Sequence, residues 1–481
     1  MASLKNAPSL QVKEIEFYEW PYTLRLPFRF GVITVTHGRQ VVARARIELE
    51  DGRSGWGVAA EALGAKWFDK DPAISDDDNL DQLRLALEIA AANYLSHGAA
   101  TAFGHFAAAY GLQLATGEKH RLNHLVASYG PAMIDRCVID ALGKLLDLSF
   151  NAMVRTNVPG IVPSLLIDDL NGFAFDDFLA GLRPLPKLHV RHTVGMVDPI
   201  VAADQAREAR VNDGLPETLE EIVSSYGQTY FKLKVGGDVE KDVARLTAIA
   251  SVLDRLKVPY KATLDGNEQY GDASGVLDLW NAIEASPELQ RLKESIIFIE
   301  QPIKRQMALS EDVSSLAARR PVILDESDGD LAAFPQGRGL GYAGISSKNC
   351  KGFYKSIINR ARCTWWNAQE GTDRYFMSAE DLTTLPGISV QQDMALVALL
   401  GLSHVERNGH HFINGMSGRP MAEQRAFLAA HPGLYYEADG VVRLKIDDGM
   451  VDLRSLDCPG FAVAAEPDWS SLERMPAAKW R

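Results

Sequence analysis

Six residues stand out by type and order: Lys232 and Lys234 in FKLKVGG, Asp265 in TLDGNEQY, Glu300 in IEQP, Asp325 in ILDES and Lys348 in ISSKNCKG. Each sits at the end of a short apolar run, where a buried strand should carry no charge unless that charge is paired or bound to metal. Taken singly they are ordinary. Lys-x-Lys is common on solvated strands, Asp-Gly-Asn is usually a turn, and Glu300 or Asp325 could cap the helix that follows. The ordered series at the ends of five successive strands has no such explanation. Carboxylates from three adjacent strands make an all-oxygen set suited to a hard cation, magnesium first and manganese second. Residues two apart on a strand share a side, so Lys232 and Lys234 project together. Neighbouring ammonium groups depress each other's pKa, and partial burial adds to this, which brings a lysine toward the range of a base. With Lys348 on the opposite side, a substrate carboxylate at the cation has an amine on each face of its α-carbon. Loss of the α-proton gives a dianionic enediolate, which needs a cation at the oxygens and a base at the carbon. The set supplies both.

Positioning these residues requires parallel strands joined by helices. Short apolar runs at LHVRHTV, YFKLKV, YKATLD, IIFIE, PVILD, GISSK, RYFMS and SHVE are each followed by a helical segment, the pattern of repeated βαβ units. In DVEKDVARLTAIASVLDRL, Val239, Val243, Leu246, Ile249, Leu253 and Leu256 fall on one helical face. Eight such units predict an α/β fold with a closed (β/α) TIM-type barrel over residues 186–435, its active site at the carboxyl ends of the strands. Residues 1–185 read as an N-terminal α+β domain. Alternating strands lie around the Asp51-Gly52 turn, and helical stripes run from Leu80 to Leu148. The Pro- and Gly-bearing stretch 158–185 reads as a linker or insertion, and residues 436–481 as a segment that folds back on the first domain.

Composition excludes several classes. With 50 basic and 63 acidic residues the net charge is -13, the wrong sign for holding nucleic acid or an anionic membrane surface. No run approaches a membrane span, and the start, MASLKNAPSL, does not resemble a signal peptide. The four cysteines, Cys137, Cys350, Cys363 and Cys458, have neither zinc-site nor disulfide-framework spacing and are expected as reduced thiols in a cytoplasmic protein. The expected partner is a small carboxylate substrate, and a homo-oligomer is expected.

The motif set resembles the enolase superfamily, specifically the muconate lactonizing enzyme branch of the mandelate racemase/muconate lactonizing enzyme family, whose chemistry uses a lysine or histidine base with bound magnesium. LPFRFGV and GWGVAAEALGAKW look like that family's capping domain and substrate-facing loops, and VIDALGKLLDL like its helical signature. The resemblance implies that Asp265, Glu300 and Asp325 bind magnesium, that Lys234 and Lys348 are the acid/base pair, that Lys232 steadies the substrate carboxylate, and that Asn267 neighbours the metal. It also implies racemisation, epimerisation or cycloisomerisation. Syn-dehydration of the o-succinylbenzoate synthase type, a metal-dependent carbon-carbon lyase and a non-catalytic metal- and carboxylate-binding barrel are the rivals.

The chain departs from the family in three places: extra material before Lys232, a longer gap between Asp265 and Glu300, and HVERNGHHFING where dipeptide epimerases carry Asp-x-Asp. Glu406 and Asn408 are the candidates to replace that pair, with only Glu406 charged, and His410 and His411 are candidates for a distal anionic group of the substrate or for ordinary loop histidines. Phe28, Phe30 and Trp67 are aromatic candidates for closing over the substrate, although core packing is the commoner fate of such side chains.

Overall fold

Alternation of more and less buried residues between Leu10 and Ala62 produces an antiparallel meander. Its strands are β1 (Leu10–Phe30), β2 (Ile33–Leu49) and β3 (Ser54–Ala62). Three helices, Asp76–Ser96, Ala102–Lys119 and His124–Leu146, cover one face of this sheet. Each starts at a side chain that accepts a hydrogen bond from the backbone N–H three residues on: Ser75, Thr101 and Asn123. The last helix lies so close to β3 that a Cβ at Gly57 would sit 2.0 Å from the Cys137 carbonyl oxygen, which restricts the position to glycine. The computed structural model describes residues 7–480.

The eight apolar runs form the barrel strands β4 (Lys187–Val194), β5 (Tyr230–Lys234), β6 (Lys261–Asp265), β7 (Ile296–Glu300), β8 (Val322–Leu324), β9 (Gly344–Ser347), β10 (Phe376–Ala379) and β11 (His404–Arg407). They pair in parallel in sequence order, and β11 closes on β4. The long interval between Asp265 and Glu300 is filled by two helices, Ala273–Ala285 and Gln290–Ser295. Residues 158–185 pack on the barrel's outside. Asp169 accepts a double hydrogen bond from Arg362, and the Phe173 ring lies 5.5 Å from Trp365. The C-terminal segment divides between the two parts: Met450–Asp452 runs antiparallel to β4, and Glu473–Arg474 pairs with β1.

The cap covers the carboxyl ends of the barrel strands. Leu24, Leu26, Phe28, Phe30, Trp67 and Phe68 share one apolar cluster with Leu382, Leu385, Phe412 and Ile413, from the loops that follow β10 and β11. At ~1.5–3 kcal/mol per fully buried large apolar side chain, this contact draws the cap onto the barrel. Ionic clasps fix its orientation. Arg25 grips both oxygens of Asp213 at 2.6 Å and donates to the His411 carbonyl at 2.9 Å. Arg305 holds Glu268 and donates to the carbonyls of Trp67 (2.8 Å) and Phe68 (2.6 Å). Among the described residues no helix is long and apolar enough to cross a membrane, and all four cysteines are free.

A further clasp titrates. His124, at the start of a cap helix, faces Asp330 at 2.7 Å and Glu118 at 2.9 Å through its two ring nitrogens. The hydrogen bond to Asp330 and, secondarily, the one to Glu118 raise its pKa to about 9. A histidine whose pKa rises on folding contributes stability that is complete below the free value of about 6.5. That contribution disappears as the pH climbs through about 9. Because the ring is about a third exposed, screening limits it to about 1 kcal/mol. Urea unfolding at pH 6 and pH 10 should show this loss in the wild type and not in His124→Ala. An equal pH dependence in both proteins contradicts the assignment.

Candidate active site

Strand register brings the charged residues level. Lys234 lies opposite Asp265, and Asp265 opposite Glu300, across β5, β6 and β7. Lys232 is one layer deeper, opposite Thr193 on one side and Thr263 on the other. Asp325 and Lys348 each follow directly on a strand end, after β8 and β9. All six are buried under the cap.

The loops that carry them are held in a strained form. Asn267, Glu268 and Gln301 adopt left-handed backbone with φ of +40, +71 and +31°, a conformation that persists only where the surroundings enforce it. Gln301 supplies much of that enforcement. Its amide donates to Ser327 Oγ (2.8 Å) and the Ile303 carbonyl (2.9 Å) and accepts from the backbone N–H of Asp325 (2.9 Å), so one side chain ties the loop after β7 to that after β8. The backbone N–H of Asn267 donates to Asp265 Oδ1 at 2.8 Å.

Charge pairing dominates the centre. Lys232 Nζ lies 2.9 Å from Asp265 Oδ2, 2.8 Å from Glu300 Oε1, 2.8 Å from Glu380 Oε2 and 2.9 Å from Glu406 Oε2. Burial opposes its charge, but these carboxylates outweigh burial and hold its pKa well above the usual lysine value. The mutual depression expected of two adjacent ammonium groups is thus overridden at Lys232, because carboxylates stand between it and Lys234. Lys234 Nζ meets Asp265 Oδ2 at 2.5 Å. Lys348 Nζ meets Asp325 Oδ2 at 2.8 Å and lies over the Trp67 ring, 3.9 Å from its centre. Against the penalty of burial, Asp325 pushes the Lys348 pKa up. Asp325 itself, held by Lys348, Lys351 and Ser346, is kept ionised despite its burial, well below the ordinary carboxylate range. Glu300 goes the other way. Burial, together with the neighbouring charges of Asp265 and Glu380, pushes its carboxyl well up.

Four participants were not singled out in the sequence. Glu380, just beyond β10, faces Lys232 and is gripped from behind by Arg191 of β4, which also donates to the Ala379 carbonyl at 3.0 Å. Lys351 bridges Asp325 and Asp328. Lys70, from the cap, binds Glu268 at 2.6 Å and Glu326 at 3.0 Å. The signal for Arg191 was present in LHVRHTV, an arginine inside an otherwise apolar run, and for Glu380 in SAED directly after a strand.

The remaining candidates divide. Glu406 accepts from Lys232, Thr193 and the Asp381 N–H, and Asn408 donates to Glu406 at 3.2 Å. Asn267 donates to Glu326 at 3.1 Å. Phe30 and Trp67 are buried in the cap–barrel cluster, with Lys70 Nζ 5.9 Å above the Phe30 ring. His410 and His411 group instead with His192, whose Nδ1 is 3.2 Å from His410 Nε2. Thr193 points inward to Glu406, so its neighbour His192 points out of the barrel. Burial first, then neighbouring charged groups, lowers the pKa of His410 and His411 well below the ordinary value, so both are neutral.

Buried acceptors without a donor mark where a ligand would be welcome: Glu300 Oε2, Asn267 Oδ1 and Glu326 Oε2. All are oxygens, the donor type of a hard cation. Among the described residues no three acidic, histidine or cysteine side chains converge on one cation position as the site stands, since Lys232 bridges Asp265 and Glu300 while Asp325 turns to Lys348 and Lys351. The donor chemistry and the orphaned Glu300 oxygen fit magnesium.

Residues 214–345 match the family model described as enolase C-terminal domain-like. The fold is that of the enolase superfamily. The likeness of fold to solved structures extends over nearly the whole chain. A muconate lactonizing enzyme from Mycobacterium smegmatis, solved with muconolactone, has a TM-score of 0.58 at 20% identity, covering 97% of this chain and 100% of that one. A dipeptide epimerase from Cytophaga hutchinsonii, solved with magnesium and D-Ala-L-Val, has a TM-score of 0.56 at 15% identity, covering 97% and 99%. A Bradyrhizobium enolase with magnesium and mandelic acid has a TM-score of 0.56 at 14% identity, covering 98% of each. No curated protein matches the chain.

The pair Arg191–Glu380 should be structural in its own right. Arg191→Met strands a buried carboxylate and is expected to cost ~3–5 kcal/mol in chemical denaturation. Arg191→Met combined with Glu380→Gln should cost less than the sum of the two single changes. A loss under about 1 kcal/mol for Arg191→Met would show the pair to be incidental.

Proposed function

We propose that this protein removes the α-proton of a small carboxylate substrate and returns a proton to the same molecule, as a racemase, epimerase or cycloisomerase. The observation that carries the reading is the placement of two buried lysines, Lys234 on β5 and Lys348 after β9, on opposite flanks of Asp265, Glu300 and Asp325. A sensor that merely bound a carboxylate would need neither amine. Asp265, Glu300 and Asp325 would hold magnesium, or manganese, which supplies positive charge beside the substrate carboxylate when bound.

The chain's own groups then do the following. Lys234 takes the proton at Nζ from one face of the α-carbon, and Lys348 delivers or removes one on the other. Asp325 and the Trp67 ring face hold the Lys348 ammonium in place. The cap, through Phe28, Phe30 and Trp67, excludes water, which strengthens each charge interaction beneath it. Relatives solved with muconolactone and with D-Ala-L-Val indicate how widely substrates vary on this fold, and the cap loops, not the barrel, would choose among them.

Incubation with magnesium in deuterated water and a library of N-acyl amino acids, dipeptides and cyclisable diacids tests this directly. Exchange of an α-hydrogen is expected, falling by about 10²–10⁴-fold in Lys234→Ala. In Lys348→Ala, exchange should persist for one enantiomer while conversion to the other stops. Syn-dehydration would instead yield an alkene product with a single lysine required as base. Absence of exchange with every acid favours a binding protein.

A further inference from the structure

Lys232 is approached by more carboxylates than an ammonium group can satisfy. Its three N–H bonds go to Glu300, Glu380 and Glu406. The fourth neighbour, Asp265 Oδ2, is 2.9 Å away without a hydrogen bond from Lys232 and receives one from Lys234 instead.

These partners are not equivalent. Glu380 is fixed from behind by Arg191 and Ser378, and Glu406 by Thr193, Asn408 and the Asp381 N–H. Both would stay in place whatever Lys232 did. Glu300 has only the Lys232 ammonium on one oxygen and nothing on the other. A cation drawn to Glu300 and Asp265 would therefore meet the ammonium at contact distance, where the two positive charges repel and each weakens the other's hold on those oxygens.

We propose that Lys232 and the divalent cation compete for Asp265 and Glu300, with Glu380 and Glu406 as the fixed seat that retains the ammonium when it yields. Lys232 thereby sets how tightly the cation binds. Whenever no cation is bound, the ammonium keeps the buried carboxylates compensated, which they require in the absence of water. Yielding costs it one hydrogen bond of three. This inference rests on the assignment of Asp265 and Glu300 as cation ligands, and Glu380 acts only through Lys232, as a positioning residue.

The test is titration of the metal-stripped full-length protein with Mn²⁺, bound and free ion being separated by electron paramagnetic resonance. Lys232→Met is expected to bind Mn²⁺ at least about tenfold more tightly than wild type, a difference of about 1.4 kcal/mol. Glu380→Gln should weaken binding in the wild-type background and have little effect in the Lys232→Met background. Simple loss of a negative charge would weaken both alike. Equal or weaker binding by Lys232→Met, with normal binding by wild type, overturns the competition and leaves the metal assignment standing. Binding by neither protein overturns both. Should Lys232→Met fail to fold, the ¹⁵Nζ lysine spectrum of wild type decides: addition of magnesium chloride should move the Lys232 signal and leave that of Lys355 unchanged, and an unmoved Lys232 signal overturns the proposal.

Discussion

Charge buried beneath the cap is the constraint around which the rest of this molecule is arranged. Asp265, Glu300, Asp325, Glu380 and Glu406 meet Lys232, Lys234, Lys348, Lys351 and Arg191 at or near the ends of the barrel strands, all of them shielded from water. An unpaired charge in such a place costs several kcal/mol, and each pair recovers that cost only when its geometry is good and its remaining donors and acceptors are satisfied. Parallel register provides the geometry, because adjacent strands present residues at one level: Lys234, Asp265 and Glu300 line up across three of them. The left-handed residues after β6 and β7, and the Gln301 amide that spans two loops, carry the same arrangement past the strand ends.

Function follows from what that arrangement leaves unfinished. Each lysine of the cluster has a carboxylate partner, whereas Glu300, Asn267 and Glu326 each retain a buried oxygen with no partner. A surplus of hard acceptors between two lysines is what proton abstraction beside a carboxylate asks for, since negative charge develops on oxygen while a proton moves at carbon. The cap completes the site by excluding water. Its attachment is partly ionic, through Arg25, Arg305 and Lys70, and two of these three cations reach the very loops that carry Asp265 and Asp325. Cap and catalytic loops are thus mechanically joined.

The barrel was legible because its signal repeats: eight short apolar runs at regular intervals, five of them ending in a charge, admit few other folds. The cap meander was legible for the same reason, with its two-residue alternation around Asp51-Gly52. What could not be read was which charges would meet. Glu380 is 148 residues from Lys232 and 189 from Arg191, so only barrel closure brings them together. Lys351 looked like a neighbour of Lys348, yet a short 3₁₀ turn over Asn349–Lys351 sends it to the far side of Asp325. His410 and His411 follow a strand as active-site residues do, but they group with the outward-facing His192. A two-residue periodicity fixes a face only once the register is known.

Diffraction from crystals soaked in manganese, collected at a wavelength where the ion scatters anomalously, tests the site most directly. One peak is expected, with an oxygen from each of Asp265, Glu300 and Asp325 at about 2.0–2.2 Å and with the amines of Lys234 and Lys348 on opposite sides of it. No peak at this position, or a peak that lacks an oxygen from any of the three carboxylates, would contradict the assignment of the site.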